Sequence, residues 1–338
     1  MVRRRAFVLA LAFSAAVAST APALAYLPPP LERLNHDVRT LARHVPAAIA
    51  LDVLDLNTGY HAGFNAGKSM PAASTIKLPV MVEVFEQLAA GRFDLHHRVT
   101  LLASDKDSGS GELSGARVGT TYSVSLLLEK MIDISDNTAT NMLIRLVGRQ
   151  NINRAMGELG LAHTHLAGDV RTSGWSIRRT LRTSPADLVR LLTLMARGDL
   201  VDQWSSNEMI AILEADQFNT LLPEPLPDNV AIAHKTGSLY DTLNDAGIVY
   251  AGDAPYVIAV MTTALPSQDL GRVFIRNISR LAYAEELHFA RWRQAMGVAP
   301  SFALPSGTSS NGSPDVPYWN NAGAGSESGD APTAPPAP

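Results

Sequence analysis

The chain has 338 residues, a formal net charge of −4, 46% hydrophobic residues and no cysteine. Without cysteine there are no disulfides and no thiolate metal sites, so stability must come from an apolar core, which a chain of this size can build. The mild acidity gives no electrostatic case for nucleic acid or an anionic membrane surface as a partner.

At the N-terminus, Arg3, Arg4 and Arg5 precede an almost wholly apolar stretch over residues 6–18, and Ala23-Leu24-Ala25 supplies a small-x-small cleavage pattern. Residues 1–25 are therefore read as an export signal. Its removal takes three arginines and brings the net charge to −7. The apolar stretch is short for a bilayer span, with an uncleaved anchor as the alternative. Arg4-Arg5-Ala6-Phe7-Val8 also fits a twin-arginine signal, so the route stays open between that and general secretion. No cysteine follows, which excludes a lipid-anchored form.

Apolar residues Leu31, Leu34, Val38, Leu41 and Val45 fall at helical spacing. Residues 47–56 read as a strand, Asn57-Thr58-Gly59 as a turn, and 60–65 as a second strand. Ser74 stands just ahead of a helix over 76–88, with Pro79 tolerated near its first turn. Helices follow over 124–132, 138–147, 152–159, 184–196 and 207–214. Thr183-Ser184-Pro185-Ala186-Asp187 has the cap residues, early proline and first-turn acid of a helix start. Strands over 230–235, 246–250 and 256–262 lead into an amphipathic helix over about 270–296. Residues 301–338, rich in Ser, Gly, Pro, Ala and Asn, read as a disordered tail. Strands at both ends with helices between predict an α/β unit: one sheet built from both termini, with a helical lobe inserted midway. The domain is placed at 26–300, its α/β lobe at 26–95 and 230–300 and its helical lobe at 96–229.

Three motifs carry the chemistry: Ser74-Thr75-Ile76-Lys77, Ser135-Asp136-Asn137 and Lys235-Thr236-Gly237. Each alone has a bland reading, as a helix surface, an N-cap or a strand end. Together, 61 and then 100 residues apart, they describe a serine acyl-transfer site. A serine hydroxyl needs a base to take its proton. Ser74 and Lys77, three apart on one helix, share a face. If Ser74 opens that helix, its backbone N–H points at developing negative charge. As the base, Lys77 needs a depressed pKa, from burial and a nearby cation such as Lys235. Ser135 offers a hydroxyl to relay a proton and Asn137 an amide to grip a substrate amide, with Asp136 fixing the turn. Lys235 and Thr236 suit a substrate carboxylate. Gly237 admits a close backbone approach, and the Ser238 N–H would be a second oxyanion donor.

These motifs, with Asp136-Asn137-Thr138-Ala139, Asn141, Thr183-Ser184-Pro185-Ala186-Asp187 and Asn244-Asp245, resemble the class A β-lactamases and the related penicillin-binding D,D-peptidases over most of residues 31–298. The resemblance implies a five-stranded antiparallel sheet flanked by helices, an all-helical lobe, and an active site between them. It implies Ser74 as nucleophile, Lys77 as general base, Ser135 as proton relay and Lys235 as carboxylate anchor. No cofactor is expected, and the chain is expected to act as an exported monomer on a small β-lactam or a D-Ala-D-Ala-type peptide.

One element of that family is missing. Its loop glutamate, in a Glu-x-x-x-Asn pattern, has no counterpart: the only acids between Asn137 and Pro185 are Glu158 and Asp169, followed four residues on by Ala162 and Ser173. Asp169 is the candidate substitute, in a loop made basic by Arg171, Arg178, Arg179 and Arg182. His163-Thr164-His165 is a decoy for a zinc site: the zinc-enzyme motif puts its aspartate where Ala167 stands, and His96-His97 reads as a surface pair. Three activities fit: β-lactam hydrolysis through a Ser74 acyl-enzyme, a D,D-peptidase or transferase on cell-wall peptides, and a sensor that stays acylated. Arg272 and Arg276 are candidate carboxylate partners or simple helix-surface residues.

Overall fold

The computed structural model describes residues 28–172 and 177–302. The expected export signal, Ser173, and the tail beyond its first two residues lie outside them. Helix α1 (Pro29–His44) leads into the hairpin β1 (Ala48–Asp55) and β2 (His61–Phe64), then the short strand β3 (Met70–Pro71) and helix α2 (Lys77–Ala89). The inserted lobe carries β4 (Arg98–Thr100), β5 (Thr121–Ser123), α3 (Val124–Asp133), α4 (Asn137–Val147), α5 (Arg149–Glu158), β6 (His165–Leu166), α6 (Ile177–Thr180), β7 (Leu181–Thr183), α7 (Pro185–Ala196) and α8 (Gln203–Glu214). The chain returns through β8 (Ala231–Leu239), β9 (Thr242–Tyr250) and β10 (Tyr256–Thr263) to the long helix α9 (Gln268–Ala295).

The main sheet has the order β2-β1-β10-β9-β8, antiparallel throughout. Its central pairing runs from Ala48 opposite Thr263 to Asp55 opposite Tyr256, joining the two ends of the chain. Successive strand residues point to opposite faces. Ile49, Leu51 and Val53 therefore meet Val249, Ile258 and Val260 on one face, under Leu31, Leu34 and Val38 of α1 and Phe274, Ile275 and Ile278 of α9. Ala50, Leu54, Ile248, Val257 and Met261 face the other way, into the core of the helical lobe. Each large side chain so buried is worth about 1.5–3 kcal/mol, which is how a chain without disulfides holds both layers.

Helix starts follow their caps. The Ser184 hydroxyl accepts from Asp187 N at 3.2 Å ahead of Pro185, and Ser267 caps α9 in the same way at 3.3 Å. Strand β9 begins four residues before the apolar stretch that marks it in the sequence. Its opening residues Thr242, Asn244 and Asp245 are buried yet polar, and hydrogen bonds satisfy them, including Thr242 Oγ1 to Thr263 Oγ1 at 2.8 Å. Among the described residues no helix is long and apolar enough to cross a membrane.

Candidate active site

The chain between β3 and α2 makes a 3-10 turn over Ala73–Ile76, which brings Ser74 to the surface of a cavity of about 230 Å³. Ala73 takes a left-handed φ of 49°, rare for a residue with a Cβ and a mark of locally imposed strain. Two features hold the turn. Asn244 of β9 donates Nδ2 to Pro71 O and Ala72 O at 2.9 and 3.0 Å, and its Oδ1 accepts from Thr262 N at 3.1 Å. Gly237 of β8 lies so close that a Cβ there would fall 3.0 Å from both Ala72 O and Ser74 N. It is the protein's own Ser74 turn that needs this glycine, in addition to any substrate backbone.

Lys77 opens α2 and is fully buried. Its Nζ contacts Ser135 O at 2.5 Å, Ser135 Oγ at 2.9 Å and Asn137 Oδ1 at 2.9 Å. Burial, then the cation of Lys235, drives its pKa well below the ordinary lysine value, against the opposing fields of Asp136, Asp216 and Asp107.

Ser135 sits at φ 55°, between α3 and α4. Asp136 holds it there by capping α4 at Ala139 N (2.9 Å) and accepting from Glu112 N and Leu113 N at 2.7 and 2.8 Å. Gly111, at φ +84°, makes this closure possible, since a Cβ there would strike Asp136 at 2.3 Å. The cavity is lined by Ser74, Ser135, Asn137, Thr236 and Ser238, with Val170, Thr172 and Phe218 among the others. The three motifs thus converge on one cleft between sheet and helical lobe.

Two sequence candidates stand elsewhere. Lys235 is fully buried behind the cleft wall, its Nζ 2.7 Å from Asp216 Oδ2 and 5.6 Å from the Phe218 ring centroid. Asp169 is exposed and pairs with Arg171 at 3.2 Å. The loop turns Val170 into the cavity instead, because Asn141 clamps Val170 on both sides, accepting from its N–H at 2.9 Å and donating to its carbonyl at 3.0 Å. No carboxylate lines the cavity among the described residues, and residues 173–176, outside that set, include no acid. Arg272 pairs with Asp269 on the exposed side of α9, while Arg276 reaches Thr220 O and Glu224. His163 faces Asp187 at 3.6 Å. Arg179 and Arg182 flank a separate surface cleft with Lys68, and the Arg178 side chain lies outside what is described.

Sequence reasoning passed over Asp216, Asp107, Val170 and Thr172. Asp216 lies two residues past the end of α8, which carries no motif, and Asn141 stands out only through the family resemblance, with no sign of the loop residue it clamps.

Comparisons with known proteins place the chain among its relatives. The sequence profile described as "Beta-lactamase enzyme family" matches residues 33–285. A β-lactamase of Streptomyces fradiae is 31% identical over 291 residues, covering 82% of this chain and 95% of its own. The solved structure of PBP-A is 32% identical with a TM-score of 0.71, covering 77% of this chain and 98% of its own. An L158E mutant of PBP-A, solved as the acyl-enzyme complex with penicillin G, is 31% identical with a TM-score of 0.71, covering 76% and 98%. A β-lactamase structure from Sphaerobacter thermophilus DSM 20745 is 28% identical with a TM-score of 0.68, covering 80% and 98%.

Proposed function

The chain belongs to the beta-lactamase enzyme family, and from that premise we propose that it is a serine hydrolase that opens the amide bond of β-lactams through a Ser74 acyl-enzyme. One observation carries the reading: Ser74 and Ser135 line one cavity, and the Ser135 hydroxyl accepts from a buried, pKa-depressed lysine behind it. Neutral Lys77 takes the proton of Ser74 as its oxygen attacks the lactam carbonyl. The backbone N–H groups of Ser74 and Ser238 receive the oxyanion. As the C–N bond breaks, the lactam nitrogen takes a proton from the Ser135 hydroxyl, which Lys77, 2.9 Å away, replaces. Thr236 and Ser238 present hydroxyls to the substrate carboxylate, and Lys235 acts through its field from behind the wall. Residues 1–25 would direct export, and the catalytic unit would span 26–300.

The groups proposed for acylation meet in the cleft, whereas among the described residues no carboxylate lines the cavity to activate water. The same site therefore supports a second reading, favoured by Val170: an acyl-enzyme that water releases slowly, in an enzyme whose natural substrate is a D-Ala-D-Ala-type cell-wall peptide. The penicillin acyl-enzyme of a 31% identical relative supports the acylation step in either reading. Intact mass of the purified protein with benzylpenicillin, followed from seconds to hours, tests both. An adduct that clears as penicilloate accumulates is the hydrolase, and one that persists is the peptidase-like enzyme. A Ser74→Ala protein that still takes up the label refutes the site.

A further inference from the structure

Asp107 belongs to none of the three motifs, yet it joins three parts of the cleft wall from behind. The residue is buried, 8% exposed. Oδ1 accepts from Asn137 Nδ2 at 2.8 Å, Thr172 Oγ1 at 2.8 Å and Gly109 N at 3.0 Å, and Oδ2 accepts from Thr172 N at 2.9 Å. Burial alone would push this carboxyl up, but these four hydrogen bonds outweigh it and hold the group below its usual range. It is an ionised, acceptor-only group beside a carboxamide that can present either an acceptor or a donor. On the far side of the same carboxamide, Lys77 Nζ donates to Asn137 Oδ1 at 2.9 Å. The two contacts demand opposite ends of the amide, so only one orientation satisfies both. One Asn137 N–H remains for the cavity.

We propose that Asp107 is a positioning residue for the acylation reaction: it locks the orientation of the Asn137 amide and ties it to the loop at Thr172, so that the free Asn137 N–H meets the acylamino carbonyl of an incoming β-lactam or peptide. The proposal rests on the acyl-enzyme reading above and adds the residue that orients the Asn137 amide. Gly109, Asn137 and Thr172 all line the cavity, so one carboxylate sets the width of the acylamino side of the cleft as well as its polarity.

Two substrates separate this from a general structural role. Benzylpenicillin carries an acylamino carbonyl, whereas 6-aminopenicillanic acid has a free amine in its place. The second-order acylation rate of each is measured by intact mass on the wild type, Asp107→Asn and Thr172→Val. Asp107→Asn is nearly isosteric but removes the charge that fixes the amide. It should slow benzylpenicillin about tenfold, the effect of one lost charge-assisted hydrogen bond, and change 6-aminopenicillanic acid by less than about twofold. Thr172→Val removes only the loop hydroxyl and should slow benzylpenicillin about threefold with the same selectivity. It carries the test if Asp107→Asn does not fold. Equal losses on both substrates, or no loss on either, overturn the proposal. A wild type that neither compound acylates instead removes the reading beneath it, a distinguishable failure.

Discussion

Asp216→Asn is the sharpest perturbation the site offers. Asp216 Oδ2 stands 2.7 Å from Lys235 Nζ with neither side chain exposed to solvent. The carboxylate also accepts from Phe218 N through Oδ1 at 2.9 Å and, more weakly, from Thr236 N through Oδ2 at 3.4 Å. Neutralising Asp216 leaves a buried ammonium with no charged partner in contact among the described residues: a neutral amide, the Phe218 ring at 5.6 Å and the weaker field of Asp133 are what remain. Breaking a buried pair from one side costs about 3–5 kcal/mol. At roughly 2–4 °C per kcal/mol for a domain of this size, the thermal midpoint should fall by roughly 6–20 °C. Replacing both members, as Asp216→Leu with Lys235→Met, should return stability to the wild-type level or above it, because desolvation then costs nothing. Thermal unfolding followed by circular dichroism at neutral pH, with urea titration as a second measure, reads both variants. A single Asp216→Asn midpoint within about 2 °C of wild type would refute the reasoning, since it would mean the ammonium is not charged or not buried.

Three other outcomes follow from the same site. Val170→Glu, which puts a carboxylate where the loop enters the cavity, should shorten the life of the penicilloyl adduct at least about tenfold, within the range of general-base assistance; an unchanged decay by intact mass would place Val170 away from the attacking water. Acylation should rise with pH along a limb well below the ordinary lysine value of about 10.4, because the proposed base, Lys77, would work when neutral; Lys235→Gln should move that limb to higher pH by removing a cation that favours the neutral amine. For His234, burial opposes the charged form, but Asp245 at 3.0 Å outweighs it and the pKa is raised. Its contribution to stability should be full below about pH 6.5 and fall away as pH rises through the folded value, and His234→Asn should flatten the unfolding free energy over that interval.

Much of this molecule is legible in the sequence. The α9 boundaries lie within two residues of the spacing-based reading, and the helix start at Ser184 has its expected cap. Ser74, Ser135 and Asn137 meet because the motif spacings match one fold. What escapes the sequence escapes for stated reasons. Apolar periodicity says nothing about an irregular loop, so neighbours Asp169 and Val170 could not be ranked; the Asn141 clamp decides between them. A lysine at the end of a strand looks available to a substrate, and only the three-dimensional position of Asp216 turns it inward. Asp107 reads as one more polar residue in a Ser-Gly-rich turn until Asn137 and Thr172 are seen on either side of it.

The pairing of β1 with β10 has a consequence for synthesis. Ala48 finds its partner Thr263 about 215 residues later in the chain. Until then β1 has only the four residues of β2 beside it and an open row of backbone donors and acceptors on its other edge. At roughly 5–20 residues per second, a ribosome needs on the order of ten to forty seconds to supply the missing strand. Through that interval the nascent chain cannot close its sheet, so Ser74 is made early but its turn is not fixed until Asn244 and Gly237 arrive. The Ser74 turn therefore takes its final shape only when nearly all of the chain through β9 has emerged.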